Sequence, residues 1–313
     1  MEVIRHDSST EIDLPNKTPH HRHLKWRKLQ RYIPAVLLLS PLTLLILGFF
    51  IVPMLYILYL SFIVTDDLYA TNATYSIQNY IAFFTDPYYL SSLWTTIKIS
   101  SYSTIICLLL GYPVALTMSR CTPRVRGYLT LLVASPLLIS VIVRNFGWYI
   151  LLLPNGTINQ ILMSLGIIDS PLKLLFSEIG VVIGLSSAYL PYMILSIATC
   201  LYNLDPSLGK AGAILGASPR RTFISITLPL SLPGVVSGVV LVFSLSMSSY
   251  VTPALMGGPN IKVLPVVAYD QIMHLFRWTY GSAISYVLLG ITLAAITIFT
   301  RMFEKGRFKE VFR

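Results

Sequence analysis

The stretch AVLLLSPLTLLILGFFIVPMLYILYL, Ala35 to Leu60, holds 26 residues without a single formal charge. A segment of that length reaches about 39 Å as a helix, at 1.5 Å per residue, and covers about 30 Å of hydrocarbon. It is apolar on every side. A barrel strand would instead alternate apolar and polar residues over about 10 positions, so the stretch fixes a helical membrane span and excludes a membrane β-barrel. Five further apolar runs follow, so the six expected spans are 33–62, 93–118, 128–153, 179–202, 232–256 and 282–303. Prolines 41, 53, 113, 136 and 191 lie in or near these runs and predict kinks whose freed carbonyls find other partners. The composition agrees: of 313 residues 55% are hydrophobic and 12% charged, and the mean hydropathy is +0.70. Little chain is left for a soluble catalytic domain.

The formal net charge of +10 first suggests a nucleic-acid partner. Its placement argues otherwise. Of the 23 Lys and Arg residues, seven lie in the tail before the first span, and Arg120, Arg124, Arg126, Lys210, Arg220 and Arg221 lie in two loops on the same side. Five more, Arg301, Lys305, Arg307, Lys309 and Arg313, lie at or beyond the end of the last span. The opposite side holds only Lys173, Lys262 and Arg277. Basic residues collect on the cytoplasmic side, so both termini and the loops near 120 and 215 are expected there. The domain plan is a basic tail over 1–32, a permease domain over 33–303 with a cytoplasmic loop at 203–230, and a tail over 304–313. Cys107, Cys121 and Cys200 lack metal-site spacing and read as packing residues; the Pro19–His23 run PHHRH reads as part of a solvated tail, so no metal is expected.

The loop DPSLGKAGAILGASPRRTFISITLPLSLPG, Asp205 to Gly234, reads as a cytoplasmic helix-turn-helix. Asp205 caps a helix entered through Pro206, Gly216 ends it in a left-handed conformation, and Ser218-Pro219 starts a second short helix that Pro229 is expected to close. By pattern alone this is equally an amphipathic linker on the membrane surface. It resembles the EAA motif of permease subunits of ATP-binding-cassette importers, which runs E-A-A, three residues, G, nine residues, I, one residue, L-P. Lys210, Ala211, Gly212, Gly216, Ile226, Leu228 and Pro229 fall on those spacings. Lys210 replaces the usual Glu and Gly212 the usual Ala.

The resemblance implies a type I importer permease fold, all helical with six spans, in a bacterial inner membrane. It implies that residues around 206–216 form a coupling helix docked on an ATPase subunit. It also implies the partners: a second permease subunit, as a heterodimer, two cytoplasmic ATPase subunits that hold the ATP and Mg, and an extracytoplasmic solute-binding protein. PLLISVIVRNFGWYILL (136–152), NGTINQILMSLGIIDSPLKLLF (155–176) and VTPALMGGPN (251–260) resemble the spermidine/putrescine permease group, in particular the longer of its two subunits. Opine, aminophosphonate and ferric-iron permeases share similar phrases, so those cargoes stay open.

Arg144 is the only ionisable residue deep in the expected third span, about 17 residues or about 25 Å from Gly127, and a charge there is a candidate gate or cargo contact. Snorkelling to the outer interface is the plainer alternative. Lys98 reads as snorkelling. Ser237, Ser244 and Ser248 share one helix face, suited to close packing or to cavity lining. Trp148, Tyr250 and Trp278 offer ring faces to an alkylammonium, although aromatic residues also populate interfacial belts. The substrate-path candidates are therefore Arg144, Trp148, Ser244, Ser248 and Tyr250. The expected spans contain no carboxylate, so tight recognition of a polycation is assigned to the binding protein. No phosphate loop, HExxH or GxSxG sequence occurs, so no catalytic residue is expected. A secondary transporter or channel, and a membrane-embedded enzyme, are the rivals; the first would carry mid-membrane carboxylates or an inverted repeat.

Overall fold

The computed structural model describes residues 38–64, 74–205, 207, 208, 214 and 216–304. The chain divides into two compact units, Met1–Tyr56 and Ile57–Arg313. Helix α1 runs Leu38–Ser61 with a mean hydropathy of 2.4. Its turn Leu47–Ile51 is π-helical, and the Val52 amide reaches back five residues to the Leu47 carbonyl. Pro53 comes next. The extra residue in the turn absorbs the amide that the proline lacks, so the helix continues through it.

In the larger unit, α2 (Gln78–Thr85) and α3 (Pro87–Arg120) come first. The side chain of Asn79 on α2 donates to the carbonyls of Ser61 at 3.1 Å and Ile63 at 2.8 Å. Asp86 starts α3 by accepting from the Tyr88 amide at 2.8 Å. At 34 residues α3 exceeds what about 30 Å of hydrocarbon requires. After α4 (Pro123–Ala134), α5 (Val141–Leu152) and α6 (Thr157–Ser164) come the two long helices α7 (Glu178–Tyr202) and α8 (Pro219–Met247). The chain closes with α9 (Val251–Met256), α10 (Leu264–Tyr269) and α11 (Trp278–Glu304).

Helices α3, α7 and α8 form the centre. Cys107, Ala115 and Met118 of α3 pack with Met193, Ile197 and Ala198 of α7 and Val235 and Val242 of α8. Glycine lets α7 and α8 approach: a Cβ on Gly234 would lie 2.5 Å from the Cys200 Cβ, and one on Gly238 2.7 Å from the Met193 sulfur. Ser196 and Ser237 then bond across the contact at 2.8 Å. Without a hydrophobic driving force between helices in lipid, small residues and such bonds hold the pair. Ser237 is therefore a packing residue, and buried Cys107 packs in the core as its apolar setting suggested.

Three expectations need correction. The third span is not one straight helix over 128–153: α4 ends in a 3-10 turn, Ser135–Leu138, and the segments Pro123–Leu138 and Val141–Ser164 meet at 89°. Pro136 sits in that turn, where its ring and missing amide defeat continued helix. The fifth span does not run 232–256. It starts at Pro219, ends at Met247 and gives way to the short α9. Lys98, expected to snorkel, instead pairs with Glu178 at 2.6 Å, and Glu178 opens α7 one residue before the span as drawn. Among the described residues five helices are long and apolar enough to cross a membrane, or six if the bent pair is one span.

Candidate functional site

At the loop between α7 and α8, the local chemistry is visible at both ends. Asp205 accepts from the Ser207 amide at 2.8 Å, and this bond to its carboxylate holds the Asp205 pKa below the ordinary range. Gly216 has φ +77°, the left-handed conformation expected of it, and among the described residues nothing lies within 4 Å of where a Cβ would be. Its requirement is conformational. Ser218 caps the next helix by accepting from the Arg221 amide at 3.3 Å, with Pro219 in the first turn. Leu208 and Ile214 are exposed, at 40% and 86%. Lys210, Ala211 and Gly212, three residues of the motif, lie outside the described residues, as does Pro206.

Pro229 does not close a short helix, contrary to expectation. The turn Phe223–Thr227 is π-helical, the Leu228 amide bonds the Phe223 carbonyl, and the helix passes through Pro229 into α8. This repeats the arrangement before Pro53. Ile226, Leu228 and Pro229 are half-buried on this entry, and the Phe223 ring meets Tyr112 of α3 edge-on at 6.0 Å. The loop is thereby joined to the central helices without an intervening break.

Around the bend in the third span, Arg144 lies in the first turn of α5. The 89° bend removes the basis for placing it 25 Å along a straight helix. Its guanidinium donates to the Pro136 carbonyl at 3.1 Å, so it braces the bend. The next residue, Asn145, is fully buried and donates to the Thr252 hydroxyl of α9 at 3.0 Å, while its own Oδ1 has no partner. Trp148 and Tyr250 pack against one cluster, formed by Leu152, Val181, Leu185 and Met256 among others. Tyr250 precedes α9, and its ring lies 4.4 Å from that of Tyr269.

The structure thus gathers Arg144, Trp148 and Tyr250 near two broken helices. Ser248 stands at the second of these breaks, as the C-cap of α8, and Ser244 lies one turn earlier on that helix. Ser244 donates to the Val240 carbonyl at 2.6 Å and Ser248 to the Ser244 carbonyl at 3.0 Å, so both hydroxyls are spent on their own helix. Sequence reading missed Asn145, although an amide beside a charge in an apolar run is itself a signal, since it has to find a partner in hydrocarbon. It also missed Glu178 by one residue.

Residues 107–307 match the family of binding-protein-dependent transport system inner membrane components. The spermidine/putrescine transport system permease protein PotB of Haemophilus influenzae is 35% identical over 80% of this chain and 87% of its own length. PotB of Escherichia coli is 32% identical over 82% and 94%. Among solved structures, a bacterial alginate importer complexed with an alginate-bound periplasmic protein covers 90% of this chain and 97% of its own at TM-score 0.68 and 16% identity. The MetNI methionine transporter matches at TM-score 0.55 and 15% identity, over 72% and 96%. These two share the fold.

Proposed function

From the premise that this chain belongs to the family of binding-protein-dependent transport system inner membrane components, we propose that it is the permease subunit through which a polyamine, spermidine or putrescine, crosses the inner membrane. One observation carries the cargo: similarity to polyamine permeases is sustained over four-fifths of the chain. Both termini and the loop at Gly216 face the cytoplasm in this reading, as the basic residues require. The partners are a second, non-identical permease chain, two ATPase subunits that bind ATP and Mg, and an extracytoplasmic binding protein.

The geometry divides the labour. Exposed Leu208 and Ile214 supply an apolar contact for the ATPase, and Lys210, Ala211 and Gly212 lie between them on the same loop. The continuous entry from Ser218 through Pro229 into α8 carries a displacement of that contact to the central helices. At the other end of α8, the breaks at Ser248–Tyr250 and at Ile139–Ser140 form the gate. Trp148 and Tyr250 offer ring faces to the passing ammonium groups, an attraction worth about 0.5–2 kcal/mol each. Such a path holds the cargo weakly, as transit requires.

Proteoliposomes containing the assembled transporter, with the binding protein outside and ATP inside, test this reading. Uptake of labelled spermidine or putrescine that stops without ATP is expected. Uptake of an opine, an aminophosphonate or ferric iron, with none of either polyamine, would overturn the cargo.

A further inference from the structure

At the start of α4 lies a cavity of about 610 Å³, lined by Arg124, Arg126, Tyr128, Thr130, Leu131 and Tyr202 among others. Arg126 donates to the Ser119 carbonyl at 3.0 Å and its guanidinium sits 4.2 Å from the centre of the Tyr202 ring. Two polar atoms of this lining, Arg126 Nε and the Tyr202 hydroxyl, are buried without a partner. Among the described residues no ion pair neutralises Arg124 or Arg126. The N-terminus of α4 adds to the positive field, because Thr122 makes no side-chain cap and Pro123 opens the first turn. The cavity therefore offers donors and positive charge, with no carboxylate in its lining.

Its second wall decides what kind of anion fits. Tyr128 is 75% exposed and Leu131 69%, and Leu132 beside them 67%. The basic end thus continues into an exposed apolar face along a membrane helix. That combination suits an amphiphile with a phosphate at one end and a hydrocarbon chain at the other. We propose that this cavity is a binding site for an anionic glycerophospholipid of the cytoplasmic leaflet. The phosphate sits between Arg124 and Arg126, and one acyl chain runs along Leu131 and Leu132. The inference rests on the membrane topology above and is independent of the cargo.

Native mass spectrometry of the detergent-purified transporter, exchanged against equal amounts of phosphatidylglycerol and phosphatidylcholine, tests it. Retention of phosphatidylglycerol should exceed that of phosphatidylcholine by about tenfold, and Arg124→Gln should lower the excess about fivefold, since each basic group near a lipid surface contributes a factor of that order. Arg126→Lys, which keeps the charge and loses Nε, should retain a partial preference and guards against a fold defect caused by losing the Tyr202 contact. Equal retention of the two lipids, or an unchanged preference in Arg124→Gln, would overturn the proposal. So would displacement of the lipid by millimolar inorganic phosphate, which would make the site one for soluble phosphate. The measurement in detergent is blind to orientation, so a failed topology is detected separately by labelling Ser207→Cys from outside intact cells.

Discussion

The turn at Gly216 and the bend at Ser140 both interrupt helices, and they do so by opposite means. Around Gly216 the causes are local: a positive φ, a Ser218 cap and a proline. At Ser140 the causes are tertiary: Arg144 donates back to Pro136, and Asn145 reaches Thr252 on another helix. A turn held by its own backbone can move as a piece and keep its shape. A bend held by partners on other helices changes when those helices move. The first suits a contact that transmits a push, the second a gate that responds to one.

Gly216→Val strikes the first mechanism where it has no compensation. A β-branched residue at φ +77° costs about 1–3 kcal/mol, enough to change the population of the docked loop by about 5-fold to 150-fold. Substrate-stimulated ATP hydrolysis in liposomes should collapse while the membrane helices stay folded by circular dichroism. Arg144→Ala and Arg144→Lys strike the second. Neither keeps the guanidinium bond to Pro136, so uptake should fall in both while co-purification with the ATPase is retained; normal uptake in both variants would reduce Arg144 to an interfacial anchor.

A smaller effect is expected from Asn145→Ala and Thr252→Val. Bonds between helices in lipid are worth about 0.6 kcal/mol on average and about 1.7 at most, so the double-mutant cycle for stability in detergent should give a coupling in that range. A coupling of zero would mean that the bond does not hold α9 to α5. The smallest effect concerns pH. The folded pKa of Asp205 is depressed by its bond to the Ser207 amide, so the cap is present above the ordinary carboxylate pKa of about 3.9 and is lost as pH falls through the lower, folded value. Coupling should therefore be indifferent to Asp205 protonation between pH 6 and pH 8, which a pH series of stimulated hydrolysis checks.

The same contrast explains how much could be read without coordinates. Gly216, Ser218 and Asp205 announce local backbone chemistry, and the structure has them in those conformations. The apolar runs announced the spans, because length and hydropathy are properties of the segment alone. A kink was expected at Pro136, but equally at prolines 113 and 191, which lie inside unbroken helices, so the sequence did not single out the 89° break. What distinguishes Pro136 is the set of partners that stabilises the far side of the break, and sequence order does not display them. Pro229 misled for a related reason: a proline stops an α-helix, but a π-turn ending two residues earlier accommodates it. The Lys98–Glu178 pair joins residues 80 positions apart, and a span drawn to begin at residue 179 leaves Glu178 out.

The most direct test of the division between pushing loop and responding gate is cross-linking at Ser207, which is exposed at the start of the loop. With Cys107, Cys121 and Cys200 replaced by Ala, Ser207→Cys in inverted membrane vesicles should form a covalent adduct with the ATPase subunit, with a yield that changes when ATP is added. A cysteine at Ser207 that forms no adduct with the ATPase, yet is labelled by an impermeant reagent from outside intact cells, would contradict both the coupling role and the orientation.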